Sequence, residues 1–335
     1  MALFRRNSLC DIFPSVLIVS NLIKSVYSLT WRCTLSIHSS PVVKTVLLTT
    51  LALIAFAANS ILCRLALGNE SIDAAGFTMI RLLAGALTLM GILQIRNVLD
   101  KQSKKLSDAV EEQPSKGSWF SGVMLFAYAA LFSFAYVSMD TGTGALVLFG
   151  AVQLTMILMS LFRGERLLAV EWIGMVAAFV GFVYLVLPQL GTPSLSGFLM
   201  MSVSGIAWGF YTLAGRGSKN PLSDTTYNFL RSMPLVAILL VVSIQQLSMT
   251  TEGVVWAVLS GSLASGVGYS IWYSALRGLS STQAAVVQLL VPMIAALGGV
   301  LFMSEVITMR VLISGVMILG GIGLVVLGRY YCAKV

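Results

Sequence analysis

The sequence is poor in charge. Charged residues make up 10% of its 335 positions and hydrophobic ones 57%, against about 25% and roughly 45–50% in soluble chains. So few ionic groups cannot cover the surface of a water-soluble molecule of this size, which excludes that class. Histidine occurs once, at His38, outside every long apolar run. Intramembrane zinc proteolysis through HExxH and serine catalysis through a Ser–His pair are therefore excluded. The four cysteines, Cys10, Cys33, Cys63 and Cys332, have neither metal-site nor redox spacing. No glycine-rich nucleotide loop is present, so a pump built on this chain would draw on gradients and not on ATP. No cofactor and no metal are implied. The net charge of +8 does not point to nucleic acid. With a mean hydropathy of +0.91, excess Lys and Arg marks the cytoplasmic loops of a membrane protein.

What the sequence does have is long apolar runs. A helix needs about 20 apolar residues to cross the hydrocarbon core. Runs of that kind lie at 43–63, 74–94, 118–138, 142–162, 169–188, 194–214, 225–245, 253–273, 281–302 and 309–328. The expected fold is an all-α polytopic membrane protein with ten transmembrane helices. Most connections are short, which forces neighbours to run antiparallel. Only 95–117 is long and polar, read as a loop with partial helix. With the N-terminus inside, Arg64 and Arg310 are the only basic residues on the outer side, and Arg81 and Arg231 lie within spans. The rest of the 21 Lys and Arg fall inside, so both termini are expected in the cytoplasm.

Residues 1–42 stand apart. A basic start and a short apolar stretch, Ile12–Ile23, mimic a secretory signal. Cleavage there would leave the next helix starting outside, against the charge pattern. The segment reads as an N-terminal extension, either interfacial or the product of a start codon placed too far upstream.

The chain also repeats itself. Residues 141–187 align with 281–327 without gaps, so Ala145, Leu161, Phe162, Glu165 and Gly181 fall on Ala285, Leu301, Phe302, Glu305 and Gly321. Earlier, Ala57 meets Ala207 and Arg81 meets Arg231, the change of offset being absorbed by the loop 95–117. The halves are 43–188 and 189–328, followed by a cytoplasmic tail, 329–335. Each half holds five spans. Five is odd, so the halves enter the membrane in opposite orientations, an architecture of secondary transporters with the substrate site at the repeat interface.

The stretches YVSMDTGTGALVLFGAVQLTMILMSLFRGERL, EWIGMVAAFVGFVYLVLP and ALRGLSSTQAAVVQLLVPMIAALGGVLFMSEVIT resemble the ends of EamA repeats of the drug/metabolite transporter superfamily. The resemblance covers about 43–328. It implies two inverted five-helix repeats with both ends cytoplasmic, in a bacterial inner membrane, exporting small metabolites such as amino acids. The first half departs from the pattern at Val152, where the second has Pro292. Small multidrug antiporters of the same superfamily depend on a Glu in the first span; 43–63 has none, which disfavours proton-driven export of lipophilic cations.

Candidate site residues follow from polarity inside spans. Arg81 and Arg231 lie roughly 10 Å deep, from opposite faces, at 1.5 Å per residue. An intramembrane cation is a functional candidate, here for a substrate carboxylate; the alternative is snorkelling to the interface. Asn59, Gln153 and Gln288 offer hydrogen bonds to substrate or between helices. Trp208, Tyr269 and Trp272 offer apolar walls. Glu165 and Glu305 are expected to cap the helix that follows each of them, with proton coupling as the alternative. Pro292 is the candidate hinge. Gly174, Gly181, Gly315, Gly320, Gly321 and Gly323 mark packing or dimer-forming helices. The expected partners are a small-molecule substrate, the lipid bilayer and a second copy of the chain; no nucleic acid is among them. The leading reading is a secondary transporter or facilitator exporting a small metabolite by alternating access, and not an enzyme. Alternatives are a flippase for a lipid or lipid-linked intermediate and a non-transporting receptor or scaffold.

Overall fold

The computed structural model describes residues 41–104, 116–162, 168–186, 194–215, 218–276, 278–279 and 287–332. The chain divides into two units, 1–44 and 45–335. The first is described only at 41–44, the opening turn of a helix. The expectation for residues 1–40 lies outside the described residues.

Among the described residues the chain is helical, without strands. The helices are α1 (Pro41–Gly68), α2 (Ala74–Lys104), α3 (Trp119–Tyr136), α4 (Thr141–Phe162), α5 (Ala169–Val186), α6 (Leu195–Gly215) and α7 (Pro221–Ser243). Then follow α8 (Thr251–Leu276), α9 (Val291–Met303) and α10 (Met309–Cys332). Seven are long and apolar enough to cross a membrane; the apolar stretches Ala169–Leu185, Val291–Met303 and Met309–Val325 are shorter. The chain is a multi-pass helical membrane protein.

Local chemistry starts these helices. The Ser118 hydroxyl accepts from the Ser121 N–H, and the Thr250 hydroxyl from that of Gly253. Both Asp73 carboxylate oxygens accept from the Gly76 N–H at 3.0 Å, and the Glu171 carboxylate accepts from the Leu168 N–H at 2.6 Å. Each side chain satisfies one of the four N–H groups a helix start leaves open. Three boundaries differ from the hydropathy reading. Helix α2 runs on to Lys104, because nothing in 95–104 breaks a helix. Helix α7 begins at Pro221 with Asn220 as its cap, a start that capping chemistry sets and hydropathy does not register. Helix α9 begins only at Val291; before it the chain turns at 289–290, and the Leu290 N–H bonds to the Val287 carbonyl at 3.1 Å.

Loops from both halves meet at each end of the bundle. At one end the connection 69–73 lies along 246–250: the Thr250 N–H donates to the Ser71 carbonyl and the Asp73 N–H to that of Ser248. Arg64 and Glu305 belong to this end. At the other, the Gly117 N–H donates to Asp224 Oδ1 at 2.7 Å and the Ser118 N–H to Asn228 Oδ1 at 3.0 Å.

Helices of one half pack on helices of the other: α5 on α10, α3 on α6 and α7, α4 on α6 and α9, α2 on α7 and α8. The α5–α10 pair is a glycine contact. A Cβ on Gly174 would overlap the Gly321 carbonyl, and one on Gly321 that of Gly174. These glycines thus serve packing within the chain. The outward faces of both helices, with Ile173, Val176, Phe179, Leu312 and Val316, are apolar and exposed, as a surface against lipid must be.

Candidate substrate-binding site

Five helices, from both halves, enclose one narrow cavity. Its walls are Phe56, Asn59 and Ser60 of α1, Tyr128 and Phe132 of α3, Leu148 and Phe149 of α4, Trp208 of α6 and Tyr269 of α8. In the state described, the space between these walls has room for about one water molecule. Spacing explains the shared faces. Phe56, Asn59 and Ser60 stand at i, i+3 and i+4, and Tyr128 and Phe132 at i and i+4.

The walls are an aromatic cluster. Trp208 lies 4.7 Å from Tyr128, 4.9 Å from Tyr269 and 5.2 Å from Tyr211, ring centre to ring centre. Phe56 meets Trp272 at 5.5 Å and Tyr269 at 5.9 Å, both edge-on, the arrangement ring quadrupoles favour.

A buried polar network lies against this cluster. The Tyr128 hydroxyl accepts from Arg81 Nη2 at 2.9 Å and from Asn59 Nδ2 at 3.1 Å. Asn59 Oδ1 accepts from the Ser260 hydroxyl at 2.5 Å, and Arg81 Nε donates to Ser265 Oγ at 3.4 Å. The guanidinium carbon stands 4.8 Å from the Phe132 ring centre and 5.2 Å from that of Tyr128. Arg81 is 1% exposed. Among the described residues no carboxylate pairs with it. Its Nη1 has no hydrogen-bond partner, and the Tyr269 hydroxyl, which faces Tyr128 and Ser265, completes a bond with neither.

Helix α8 makes this network through a local change of winding. Residues Ser260–Val267 form a π-helix. In an α-helix residues five apart stand about 140° apart around the axis. Bonding from i to i+5 brings them to one side, so Ser260 faces Asn59 while Ser265 faces Arg81. The approach is close enough that a Cβ on Gly261 would overlap the Arg81 carbonyl.

Of the residues expected from sequence, Asn59, Trp208 and Tyr269 line the cavity. Arg81 sits directly behind Tyr128 and Phe132, and Trp272 packs against Phe56. Gln153 and Gln288 are buried and not among the wall residues. The structure does not bring Arg231 to Arg81. Its Nη1 donates to the Lys116 carbonyl, and its guanidinium stands 5.8 Å from the Trp119 ring. Pro292 occupies the first turn of α9, where its missing N–H costs nothing, directly after the interruption at 289–290. Glu165 lies outside the described residues. Glu305 is a cap, but of α4 and not of the helix that follows it: both its carboxylate oxygens accept from the Thr141 N–H at 2.9 Å, and Oε1 also from the Thr141 hydroxyl. Arg64 Nε stands 3.4 Å from Glu305 Oε1, and Arg64 Nη1 donates to the Tyr136 carbonyl at 3.2 Å. The Tyr128–Phe132–Tyr136 face was readable from its four-residue spacing, but Phe56, Ser60, Ser260 and Ser265 carried no signal of their own.

Helices packed across two sequence-related halves around a mostly apolar cavity are an arrangement that secondary transporters use. The chain belongs to the EamA-like transporter family, whose profile matches it twice, over residues 43–187 and 195–327. It is thus a membrane transporter of the drug/metabolite type. An uncharacterized protein of Pseudomonas aeruginosa is 46% identical over 286 residues, covering 85% of this chain and 96% of the relative. An uncharacterized transporter of Archaeoglobus fulgidus is 28% identical over 211 residues, 62% of this chain and 73% of its own. The uncharacterized transporter YoaV of Bacillus subtilis is 22% identical over 256 residues, 73% and 85% of the two chains. A solved crystal structure, 19% identical, covers 83% of this chain and 97% of its own with a TM-score of 0.54, a likeness of fold alone.

Proposed function

We propose that the chain exports a small organic metabolite across a bacterial inner membrane by alternating access. Ten spans form two inverted five-helix halves, 43–188 and 189–328, with both termini cytoplasmic. The observation that carries this reading is the cavity: α1, α3 and α4 of the first half and α6 and α8 of the second each contribute to one enclosed space. A rocking of the halves opens that space to one face at a time. Asn59, Trp208 and Tyr269 contact the substrate, Arg81 supplies positive charge from behind Tyr128, and Trp272 supports Phe56. Gln153 and Gln288 join as the helices move, and Arg231 holds the cytoplasmic end. The cluster of Arg64, Thr141 and Glu305 closes the outer end in the state described.

Counterflow in proteoliposomes tests this reading. Vesicles loaded with an unlabelled metabolite should accumulate the labelled one, with saturation, and Trp208→Ala should abolish the effect in a chain that still folds. A folded, reconstituted protein that exchanges no member of a broad metabolite panel would sink the reading.

A further inference from the structure

Three polar groups at the cavity are buried without partners. They are Arg81 Nη1, on a side chain 1% exposed, and two hydroxyls of the cavity wall, those of Tyr269, 2% exposed, and Ser60, 1% exposed. Arg81 Nε donates to Ser265 Oγ, four residues before Tyr269 on α8, which sets Arg81 and Tyr269 beside one another. Both can donate hydrogen bonds. A buried donor left open is costly, and more so when charged. The open valences therefore describe the complement of a ligand group: an acceptor, negatively charged, with two oxygens to share between two donors. A carboxylate has that form.

The rest of the wall limits what the carboxylate is attached to. Phe56, Phe132, Leu148, Phe149 and Trp208 provide ring and aliphatic surface and Ser60 a single hydroxyl, which suits a flat ring or a short branched chain once the helices part to admit it. No carboxylate lines the cavity among the described residues. Asn59 Oδ1 already accepts from Ser260. An α-amino group would sit one carbon from the carboxylate, beside the Arg81 cation, with nothing there to offset its charge. A second acidic group would face the aromatic walls, because Arg64 and Arg231 are bonded at the two ends of the bundle.

We propose that the cavity selects a compact organic monoanion, one carboxylate on an aromatic or branched apolar body without an amino group, its head between Arg81 and Tyr269. This rests on the transport reading above and narrows it. The site selects against amino acids and dicarboxylates.

The test measures binding to the purified full-length chain by thermal shift and tryptophan fluorescence. Four probes share one ring: benzoate, the neutral benzamide, the zwitterion phenylalanine and the dianion phthalate. Benzoate should bind saturably and the other three at least about tenfold more weakly, the order expected for a charge-assisted hydrogen bond lost. Tyr269→Phe should weaken benzoate and leave benzamide unchanged. Arg81→Gln should bring benzoate down to the level of benzamide. The proposal is overturned by any of three results: no benzoate binding, benzamide or phenylalanine binding as tightly as benzoate, or a benzoate-to-benzamide ratio that survives Tyr269→Phe. Tyr269→Phe decides the matter if Arg81→Gln does not fold. The two readings fail separately. Counterflow of another metabolite class without benzoate binding overturns the substrate class alone, and benzoate binding without counterflow of any solute overturns transport alone.

Discussion

Arg81 is held by a tyrosine, a serine and two ring faces, with no carboxylate among the described residues to neutralise it. Burying a cation in that way costs stability, and replacing buried charge by an apolar side chain of similar volume is often neutral or stabilising by about 1–4 kcal/mol. Arg81→Met is expected to melt at or above the temperature of the parent while losing transport; a fall in melting temperature of many degrees would mark Arg81 as structural instead. Tyr128 behaves in the opposite way. Its hydroxyl accepts from both Arg81 and Asn59, so Tyr128→Phe leaves two buried donors open at about 1–3 kcal/mol each, and denaturant unfolding should register the loss. Arg81 was legible in the sequence because a charge within an apolar run has few innocent explanations. Arg231 carried the same signal with a different outcome. Its partners, the Lys116 carbonyl and Trp119, stand at the end of the long polar insertion of the first half and just after it, and the second half lacks that insertion. Duplicated residues keep their identity, but their surroundings diverge with each insertion.

Among the elements, α8 departs most from what its sequence announces. Hydropathy located a span at 253–273 and could not show the π-helix within it, because SGSLASGV is equally compatible with α winding. The π winding has one extra residue per turn relative to an α-helix, which aims Tyr269 and Trp272 at Phe56. Deleting Leu263 should restore α winding: four α steps turn the chain by about 400°, so Ser260 and Ser265 stay on one side and Tyr269 keeps its aim. The expected result is a protein of unchanged helix content by circular dichroism that still transports. Lost transport in a chain that folds would show that the wide turn itself is needed. Helix α9 tells a similar story from the other side. The break at 289–290 was foreshadowed by Pro292, though an apolar window averages across such a turn. Spans read from hydropathy report the length of a crossing well and its internal interruptions poorly, since the bilayer rewards apolar surface in either case.

For the molecule as a whole, the contacts at the Arg64 end matter most. Glu305 stands between α9 and α10 of the second half, yet it caps α4 of the first and meets Arg64 of α1. The duplication made Glu305 visible; its partner, 164 residues away in the chain, was not. In the proposed alternation, opening this end requires Glu305 to leave Thr141. The residue before Arg64 in α1 is Cys63, whose thiol is buried. Glu305→Ala should raise the rate of Cys63 alkylation by maleimide, read by peptide mass mapping, under conditions where the fold is intact. Asp140→Asn is the control. Its pair with Arg64 spans 3.9 Å with the carboxylate 62% exposed, worth little in water, so Cys63 should react as in the parent. Equal rates in all three proteins would remove Glu305 from any role in closing this end.

The π-helical turn of α8 has a kinetic consequence. A carrier whose halves were interchangeable would rest equally on its two faces. Here one half holds the Ser260–Val267 irregularity and the other an insertion after α2, so the two resting forms differ in free energy and in occupancy. Apparent affinity is the intrinsic affinity scaled by the fraction of carriers competent to bind. For a carrier working by the proposed alternation, half-saturation measured from inside a vesicle should therefore differ from that measured from outside. Without an energy source the maximal rates must differ by the same factor, so that net flux still vanishes when concentrations match. Two uptake curves, one for each orientation of the gradient, would measure how far duplication has drifted from symmetry.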